Sequence, residues 1–392
     1  MHFSQRVERL TGPGRGAWSV QQEAAVLRDS GHDVIFLTIG DPDQPAPTVV
    51  IDATIAALRR GRTGYGPMVG SPQLRAAIAA RVAHRTGQPC SAENVTVTTG
   101  AQGGLYCALQ CLAGPGDEVI VPEPVYATYE GVVAACGAEM VMVPLPPERG
   151  FHLDLDSVAG AVGPCTRVVW INSPHNPTGA VFTPEEIAGI AEICRKHDLW
   201  LVSDEVYEDL AFARPHLSPW SLPDMAERTV VVSSLSKSHA MPGFRLGWVI
   251  GPPELSRHLL TLLLSMTYGT PPFIQEGALA ALSGELPEVA ALRDDYRRRA
   301  QLMSGILSAA PNCRVIPPEG GMFVLLDVRG TGLAACPFAS ALLEREDVAV
   351  LPCDAFGPSA AGHLRISLTE PDHRLAEAGH RIVRFARGLP HR

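Results

Sequence analysis

Lysine is scarce in this chain: Lys196 and Lys237 stand against thirty arginines. A lysine amine that does covalent chemistry must be partly deprotonated, which a desolvated or cation-flanked site favours. Lys196 falls in a stretch with amphipathic helical spacing. Lys237 closes the run Ser234-Leu235-Ser236-Lys237 just past a predicted strand at 230–233, with Arg245 eight residues on. The two serines and the arginine are donors suited to a phosphate. A strand-end loop with a surface lysine explains the tetrapeptide by itself about equally well, since short matches are common. The lack of another credible lysine makes Lys237 the candidate nucleophile.

Other strand ends carry further chemistry. Asp204-Glu205-Val206-Tyr207 follows a buried-looking strand, and open α/β sheets bind ligands beyond the carboxyl ends of their strands. A carboxylate there can pair with a protonated ring nitrogen, and each charge then favours the other. The same residues also fit a helix cap on a βα loop. Asn172-Ser173-Pro174-His175-Asn176-Pro177-Thr178-Gly179 is the most specific string, with two prolines that hold Asn176 in a rigid turn. Thr99-Gly100-Ala101-Gln102-Gly103-Gly104 joins a strand to a helix, where small residues let backbone N–H groups approach a phosphate. A plain tight turn would read the same. Pro122-Glu123-Pro124-Val125-Tyr126 places an aromatic at another strand end, able to stack on a planar ring or to pack in a core.

The elements that must position these residues form an α/β pattern. Strands are predicted at 34–39, 95–98, 118–121, 139–143, 168–171, 200–203, 230–233 and 246–250. Helical spacing occupies 49–60, 72–86, 102–113, 126–136, 184–197 and 254–266. Thr183-Pro184-Glu185-Glu186 is a strong helix start, with Thr183 as cap and Glu186 reaching back. The apolar stretch 255–266 reads as a buried helix. After Pro287 a long charged helix, 288–309, precedes strands at 322–327, 348–351 and 364–367 and a last helix from about 371. This reads as a smaller α+β domain completed by the N-terminal segment.

At 392 residues the chain can bury a large core and form two domains. A formal charge of −9 argues against nucleic-acid and membrane-surface partners while leaving room for a local basic pocket. Nine scattered cysteines with no C-x-x-C pair suit a reducing cytoplasm, and Cys107 and Cys111 read as small core residues. The first residues, Met1 to Arg6, show no apolar signal core, and no apolar run reaches spanning length.

In order along the chain, these motifs resemble those of the class I and II aminotransferases of pyridoxal 5′-phosphate (PLP) fold type I. The likeness runs from about Ala17 to the end. Within that family, Ser234-Leu235-Ser236-Lys237-Ser238-His239-Ala240-Met241, Gly320-Gly321-Met322-Phe323 and Ala355-Phe356-Gly357-Pro358-Ser359-Ala360-Ala361-Gly362-His363 are similar to runs of the arginine–pyruvate transaminases. The resemblance implies a large PLP-binding domain over 45–285, built on a mostly parallel seven-stranded sheet. Residues 1–44 and 286–392 would form the smaller α+β domain. Lys237 would carry PLP as a Schiff base and then shuttle the proton. Asp204 would pair with the pyridinium nitrogen, Asn176 and Tyr207 would hydrogen-bond the ring oxygen, and Tyr126 would stack on the ring. Ala101, Gln102, Ser234, Ser236 and Arg245 would grip the phosphate. Tyr65, in Gly64-Tyr65-Gly66-Pro67, matches a tyrosine that reaches the phosphate of a second subunit, which implies a homodimer with shared sites. Arg365, in His363-Leu364-Arg365-Ile366-Ser367, matches the partner of the substrate α-carboxylate, with Gly40 and Asn176 nearby. Trp18 falls where the N-terminal segment covers the substrate, as a lid or as core.

One departure bears on the donor. Dicarboxylate-specific members place an arginine ahead of the segment Tyr268-Gly269-Thr270-Pro271-Pro272, where this chain has Ser265, Met266 and Thr267. Together with the likeness to the arginine–pyruvate transaminases, this implies a basic or guanidino donor, arginine or a modified or cyclised relative, with pyruvate or another 2-oxo acid as acceptor. A buried guanidinium needs an acidic partner. Asp43 and Glu123 are candidates, although solvated loop positions are the preferred reading for both. A PLP-dependent lyase or an oxygen-using oxidase or hydroxylase would share the same motifs. A regulator built on the same body would need a DNA-binding domain ahead of the fold, for which no room is expected. A nicotinamide dehydrogenase would need a Gly-x-Gly-x-x-Gly turn after a strand, and Gly12-Pro13-Gly14-Arg15-Gly16 follows none.

Overall fold

The computed structural model describes residues 5–10 and 18–389. The glycine-rich run at 12–16 and Ala17, where the family likeness begins, lie outside them. The described residues form twelve strands: β1 Ile35–Leu37, β2 Val95–Thr98, β3 Glu118–Glu123, β4 Glu139–Pro144, β5 Thr166–Asn172, β6 Trp200–Asp204, β7 Thr229–Ser234, β8 Gly247–Ile250, β9 Arg314–Ile316, β10 Phe323–Asp327, β11 Val348–Pro352 and β12 His363–Ser367.

Seven of them make one sheet in the order β2-β8-β7-β6-β5-β3-β4, with only β8 antiparallel to its neighbours. Its central strands are near-continuous apolar runs, as expected of a parallel sheet covered on both faces. On one face the helices Gly100–Leu112 and Pro253–Met266 close a core around Val202, Val230 and Val232. On the other, the helix Pro184–His197 packs Ile187, Ile190 and Cys194 against Val169, Ile171 and Leu201. Thr183 caps that helix by accepting the Glu186 N–H at 3.2 Å, while Glu186 accepts the Thr183 N–H at 2.6 Å. The register pairs Asn172 with Asp204 and Asp204 with Val232, so the carboxyl ends of β5, β6 and β7 finish side by side.

A second sheet runs β1-β11-β12-β10-β9 and joins both ends of the chain. Its core combines Val20, Ile35 and Leu37 with Tyr296, Val324, Val350, Ile366 and Ile382. Strand β9, the helix Ala335–Glu346 and the helix Pro272–Leu282 escaped the sequence reading. Strand β9 is three residues long and begins on an exposed arginine. Helix Pro272–Leu282 contains Gly277, where a Cβ would overlap the Thr54 side chain of the helix Thr48–Arg59. That close approach explains a residue that otherwise argues against a helix.

Two expectations need correction. The helix expected at 126–136 begins only at Tyr129, because the preceding turn is held by Val125 N–H donating to the Phe356 carbonyl at 2.6 Å. The stretch 255–266 is buried on one face only. Leu255, Leu259 and Leu263 are in the core, while Leu260, Leu264 and Met266 point outward.

Candidate active site

Beyond the ends of β5, β6 and β7 lies a cavity of about 220 Å³. Its walls come from segments spread along the chain. Trp18 and Gly40 arrive from the N-terminal region, Ala101 and Gln102 from the start of helix Gly100–Leu112, and Tyr126 from the turn after β3. Asn176, Asp204 and Tyr207 come from the two central strand ends, and Ser234, Ser236, Lys237 and Arg245 from the loop after β7. Arg365 reaches in from β12 of the second sheet.

Lys237 donates from Nζ to the Gly40 carbonyl at 2.5 Å. Burial lowers its pKa to about 8; the Asp41 charge opposes that shift, and the Arg365 and Arg245 charges reinforce it. The amine is therefore partly neutral near neutral pH. Lys196 is exposed on the helix Pro184–His197 and has no part in this cavity.

Asp204 is buried without a cationic hydrogen-bond partner among the described residues. Burial raises its pKa to about 6, against hydrogen bonds from Tyr129 and from the Val206 N–H. Asn172 ties the neighbouring strand ends together, donating from Nδ2 to the Asp204 carbonyl at 2.9 Å and accepting the Asn176 N–H at 2.8 Å. Asn176 in turn donates to the Tyr207 hydroxyl at 3.4 Å and accepts from Arg365 Nη1 at 2.9 Å.

Arg365 is 2% exposed, and its other bond is to the Thr38 carbonyl at 2.6 Å. Its guanidinium lies 4.1 Å from the Phe323 ring centroid and 5.4 Å from that of Phe356. No carboxylate pairs with it among the described residues, and its Nε has no hydrogen-bond partner. A buried cation held only by neutral groups leaves a large electrostatic demand for an anion.

A second anion-shaped feature sits at the other end of the cavity. Gly100 opens its helix with φ of +73°, and a Cβ there would collide with the Arg245 guanidinium. Glycine is thus required for Arg245 to close over the helix N-terminus, where free backbone N–H groups favour a phosphate. Ser236 N–H donates to Ser234 Oγ at 3.3 Å beside it.

The comparisons with known proteins agree with this geometry. The model of the family "Aminotransferase class I and II" matches residues 32–382. The chain belongs to that family. It is 47% identical over 389 residues to arginine–pyruvate transaminase AruH of Pseudomonas aeruginosa, covering 99% of each. It is 35% identical to the aspartate/prephenate aminotransferase of Thermus thermophilus, covering 99% of this chain and 98% of that one. Among solved structures, the T. thermophilus aspartate aminotransferase with maleate superposes with a TM-score of 0.93 at 34% identity, covering 98% of this chain and 100% of that one. The aspartate aminotransferase of Rhizobium meliloti gives 0.95 at 28% identity over 100% of both. The fold is accordingly fold type I, and the protein is an aminotransferase.

Tyr65 is the one expected site residue that this aminotransferase does not bring to the cavity. It is 86% exposed and lies against Tyr268, ring centroids 5.4 Å apart. Neither acidic candidate for a guanidinium lines the cavity either. Asp43 is engaged by Arg299 through two bonds of 2.8 Å, and Glu123 is buried rather than solvated, accepting the Ser359 N–H at 3.0 Å and the Ser359 hydroxyl at 2.5 Å. Tyr129 was missed. Its spacing of three from Tyr126 offered a signal, since both would share a helix face, but a tyrosine in a predicted helix reads first as core. Phe323 and Ile39 also line the cavity and carry no sequence mark beyond being apolar.

Proposed function

We propose that this aminotransferase uses PLP at Lys237 to move the α-amino group of a basic or guanidino amino acid to a 2-oxo acid such as pyruvate. The observation that carries the reading is Arg365, a buried cation without a carboxylate partner, facing the same cavity as a partly neutral lysine. The residues fit the cofactor. Gly100, Ala101 and Gln102 with Ser234, Ser236 and Arg245 would hold its phosphate. Asp204 would meet the ring nitrogen, Asn176 and Tyr207 the ring oxygen, and Tyr126 the ring face.

PLP, when bound, supplies an aldehyde that condenses with an amine and a ring that delocalises the electron pair left at the α-carbon. Lys237 Nζ, with a pKa of about 8, can release and retake a proton at neutral pH, as a general base and then acid must. Arg365 binds the α-carboxylate of donor and acceptor alike, so one cavity serves both halves of a ping-pong cycle. Asp204 keeps a fixed negative charge at the far end, preorganised for positive charge. Trp18 adds an aromatic wall from the N-terminal side.

The donor class is supported by the 47% identity to an arginine–pyruvate transaminase and by the absence of any arginine besides Arg245 and Arg365 among the described cavity residues. With Asp43 and Glu123 engaged elsewhere, Asp41 is the acidic group left at the cavity edge. It is exposed, follows Gly40 directly and acts on Lys237 through its charge. A homodimer is supported by the exposed aromatic pair of Tyr65 and Tyr268, with Leu264 and Met266 exposed in the segment leading to it. The domain division 45–285 against 1–44 with 286–392 is supported by the two separate sheets, which share a core where Leu325 and Leu351 cluster with Ile171 and Leu201. The nine free cysteines suit a cytoplasmic setting.

Two experiments test this. Borohydride reduction with PLP followed by peptide mapping should place the pyridoxyl label on Lys237, and a label on Lys196 would reject the assignment. Specificity constants for arginine, ornithine, alanine, aspartate and phenylalanine, read as alanine formed from pyruvate (or glutamate from 2-oxoglutarate for the alanine donor), should favour arginine. A preference for aspartate or phenylalanine would overturn the donor class. Ammonia or peroxide release in place of amino transfer would favour a lyase or an oxidase.

A further inference from the structure

Tyr129 lines the cavity and has no part in the chemistry assigned to Lys237, Asp204 and Arg365. Its hydroxyl donates to Asp204 Oδ2 at 2.6 Å, and the residue is 3% exposed. The ring is locked in place, stacked on Trp170 at 3.9 Å with planes 29° apart and edge-on to Tyr126 at 5.8 Å. A tyrosine needed only for packing could be a phenylalanine here. A buried hydroxyl aimed at a buried carboxylate stabilises the ionised form by a charge-assisted hydrogen bond.

We propose that Tyr129 is a positioning residue that holds Asp204 oriented and anionic, ready for a cationic ring nitrogen. This rests on the reading of Asp204 as the partner of the cofactor ring. The groups that face Asp204 leave few alternatives. Tyr129 and Tyr126 come from the segment after β3, Glu205 and Tyr207 from beyond its own strand, and Lys237 and Arg245 line the cavity from the loop after β7. Neither cation hydrogen-bonds the carboxylate. The neighbouring Glu205 charge and burial both favour the neutral acid, and only Tyr129 and the Val206 N–H oppose them. Removing the tyrosine hydroxyl therefore leaves one donor against two opposing influences.

The test begins with the apoprotein labelled with carbon-13 at aspartate carboxyls, in which the Asp204 signal is the one lost in Asp204→Asn. Its titration midpoint should rise by about one pH unit or more in Tyr129→Phe, each unit being a tenfold change in the acid equilibrium. Replacement of Tyr129 by 3-fluorotyrosine, a stronger donor of the same shape, should move the midpoint the other way and guards against a packing defect in the phenylalanine variant. PLP binding should fall about tenfold in Tyr129→Phe at a pH between the two midpoints, and the gap should close at pH 5, where both carboxyls are protonated. An unmoved midpoint in both variants overturns the role of Tyr129. Failure of the wild-type apoprotein to bind PLP, with the midpoints shifting as stated, overturns the cofactor reading and leaves the Tyr129–Asp204 coupling standing.

Discussion

Arg365 and Arg299 are both almost wholly buried, yet their surroundings are opposite. Arg299, on the helix Pro287–Leu307, meets Asp43, Asp372 and the Leu368 carbonyl. Arg365 meets two neutral oxygens and two aromatic faces, and no carboxylate among the described residues. The first is a finished ion pair that ties the segment beside Gly40 to the second sheet. The second is half of one. Asp204 and Glu205 repeat the contrast one residue apart. Glu205 accepts the Ser218 hydroxyl at 2.7 Å and lies 3.3 Å from His216, whereas Asp204 has a tyrosine and a backbone N–H. Glu205 faces a second cavity, of about 580 Å³, whose five arginines are all paired: Arg81 and Arg85 with Glu208 and Asp209, Arg214 with Glu319, and Arg293 and Arg297 with Asp294. The larger cavity is thus electrostatically closed, and the smaller one is open. Unmatched buried charge marks the site better than cavity size does.

The largest expected effect separates the two arginines. Arg365→Met should cut kcat/KM for any amino donor by about a thousandfold, or about 4 kcal/mol, because the substrate α-carboxylate loses its buried cationic partner. The stability of the apoprotein should hold or rise, since an uncompensated buried charge is removed. Arg299→Met should do the reverse, lowering stability by about 3–5 kcal/mol by stranding Asp43. Urea unfolding of both apoproteins decides it, and equal losses of stability would break the comparison.

The next effect concerns the two carboxylates. The folded-state pKa of Asp204 is raised from 3.8 to about 6, so ionising it costs the fold stability. That cost is absent below pH 3.8, grows through the interval and is complete above pH 6. Apoprotein carrying Asp204→Asn should therefore be more stable than wild type by about 3 kcal/mol at pH 8 and equal to it near pH 4. Glu205→Gln should show no such gain, because it strips His216 of its counter-charge. Excess PLP should reverse the order of wild type and Asp204→Asn at pH 8, by mass action on the form that binds it.

The strand ends were legible because loops there must combine turn chemistry with polar groups that a core would reject. Asp204, Asn176 and Lys237 stand at or just past the stop of an apolar run, and Arg245 just before the start of one. Arg365 was legible only through the family likeness, since it lies inside the apolar strand β12 and no local pattern sets it apart from Arg299. Tyr129 and Phe323 were illegible for a related reason: an aromatic that lines a cavity and one that fills a core have the same spacing. Cross-chain placement was beyond reach as well. Asp43 and Glu123 lie beside site motifs in sequence, but partners 256 and 236 residues away determine where they point. Strand β9 was lost because three residues are too few to show a strand period, whereas the helix Ala335–Glu346 does bury Ala335, Phe338, Ala339, Leu342 and Leu343 at helical spacing and was legible in principle.

The smallest effect tests whether paired charges far from the cavity behave as the comparison requires. His152 lies between Glu186, at 2.9 Å, and Glu319, at 3.3 Å, and Glu319 also accepts from Arg214. Hydrogen bonds to the two carboxylates raise its pKa from 6.5 to about 9, against the cost of burial. A group whose folded pKa is raised in this way stabilises fully below its unfolded value. Its contribution is then lost as pH climbs from 6.5 through 9. His152→Gln should accordingly cost about 2 kcal/mol at pH 6, the partial exposure of the cluster being allowed for, and nothing above pH 10. The sign is opposite to that of Asp204→Asn: one substitution removes a satisfied charge and the other an unsatisfied one. Donor selectivity should not change, because the cluster ties the turn at Gly320 to the helix Pro184–His197 and has no side chain in the cavity. A loss of stability independent of pH would assign His152 to packing alone, and a changed preference among donors would show that the two regions are coupled.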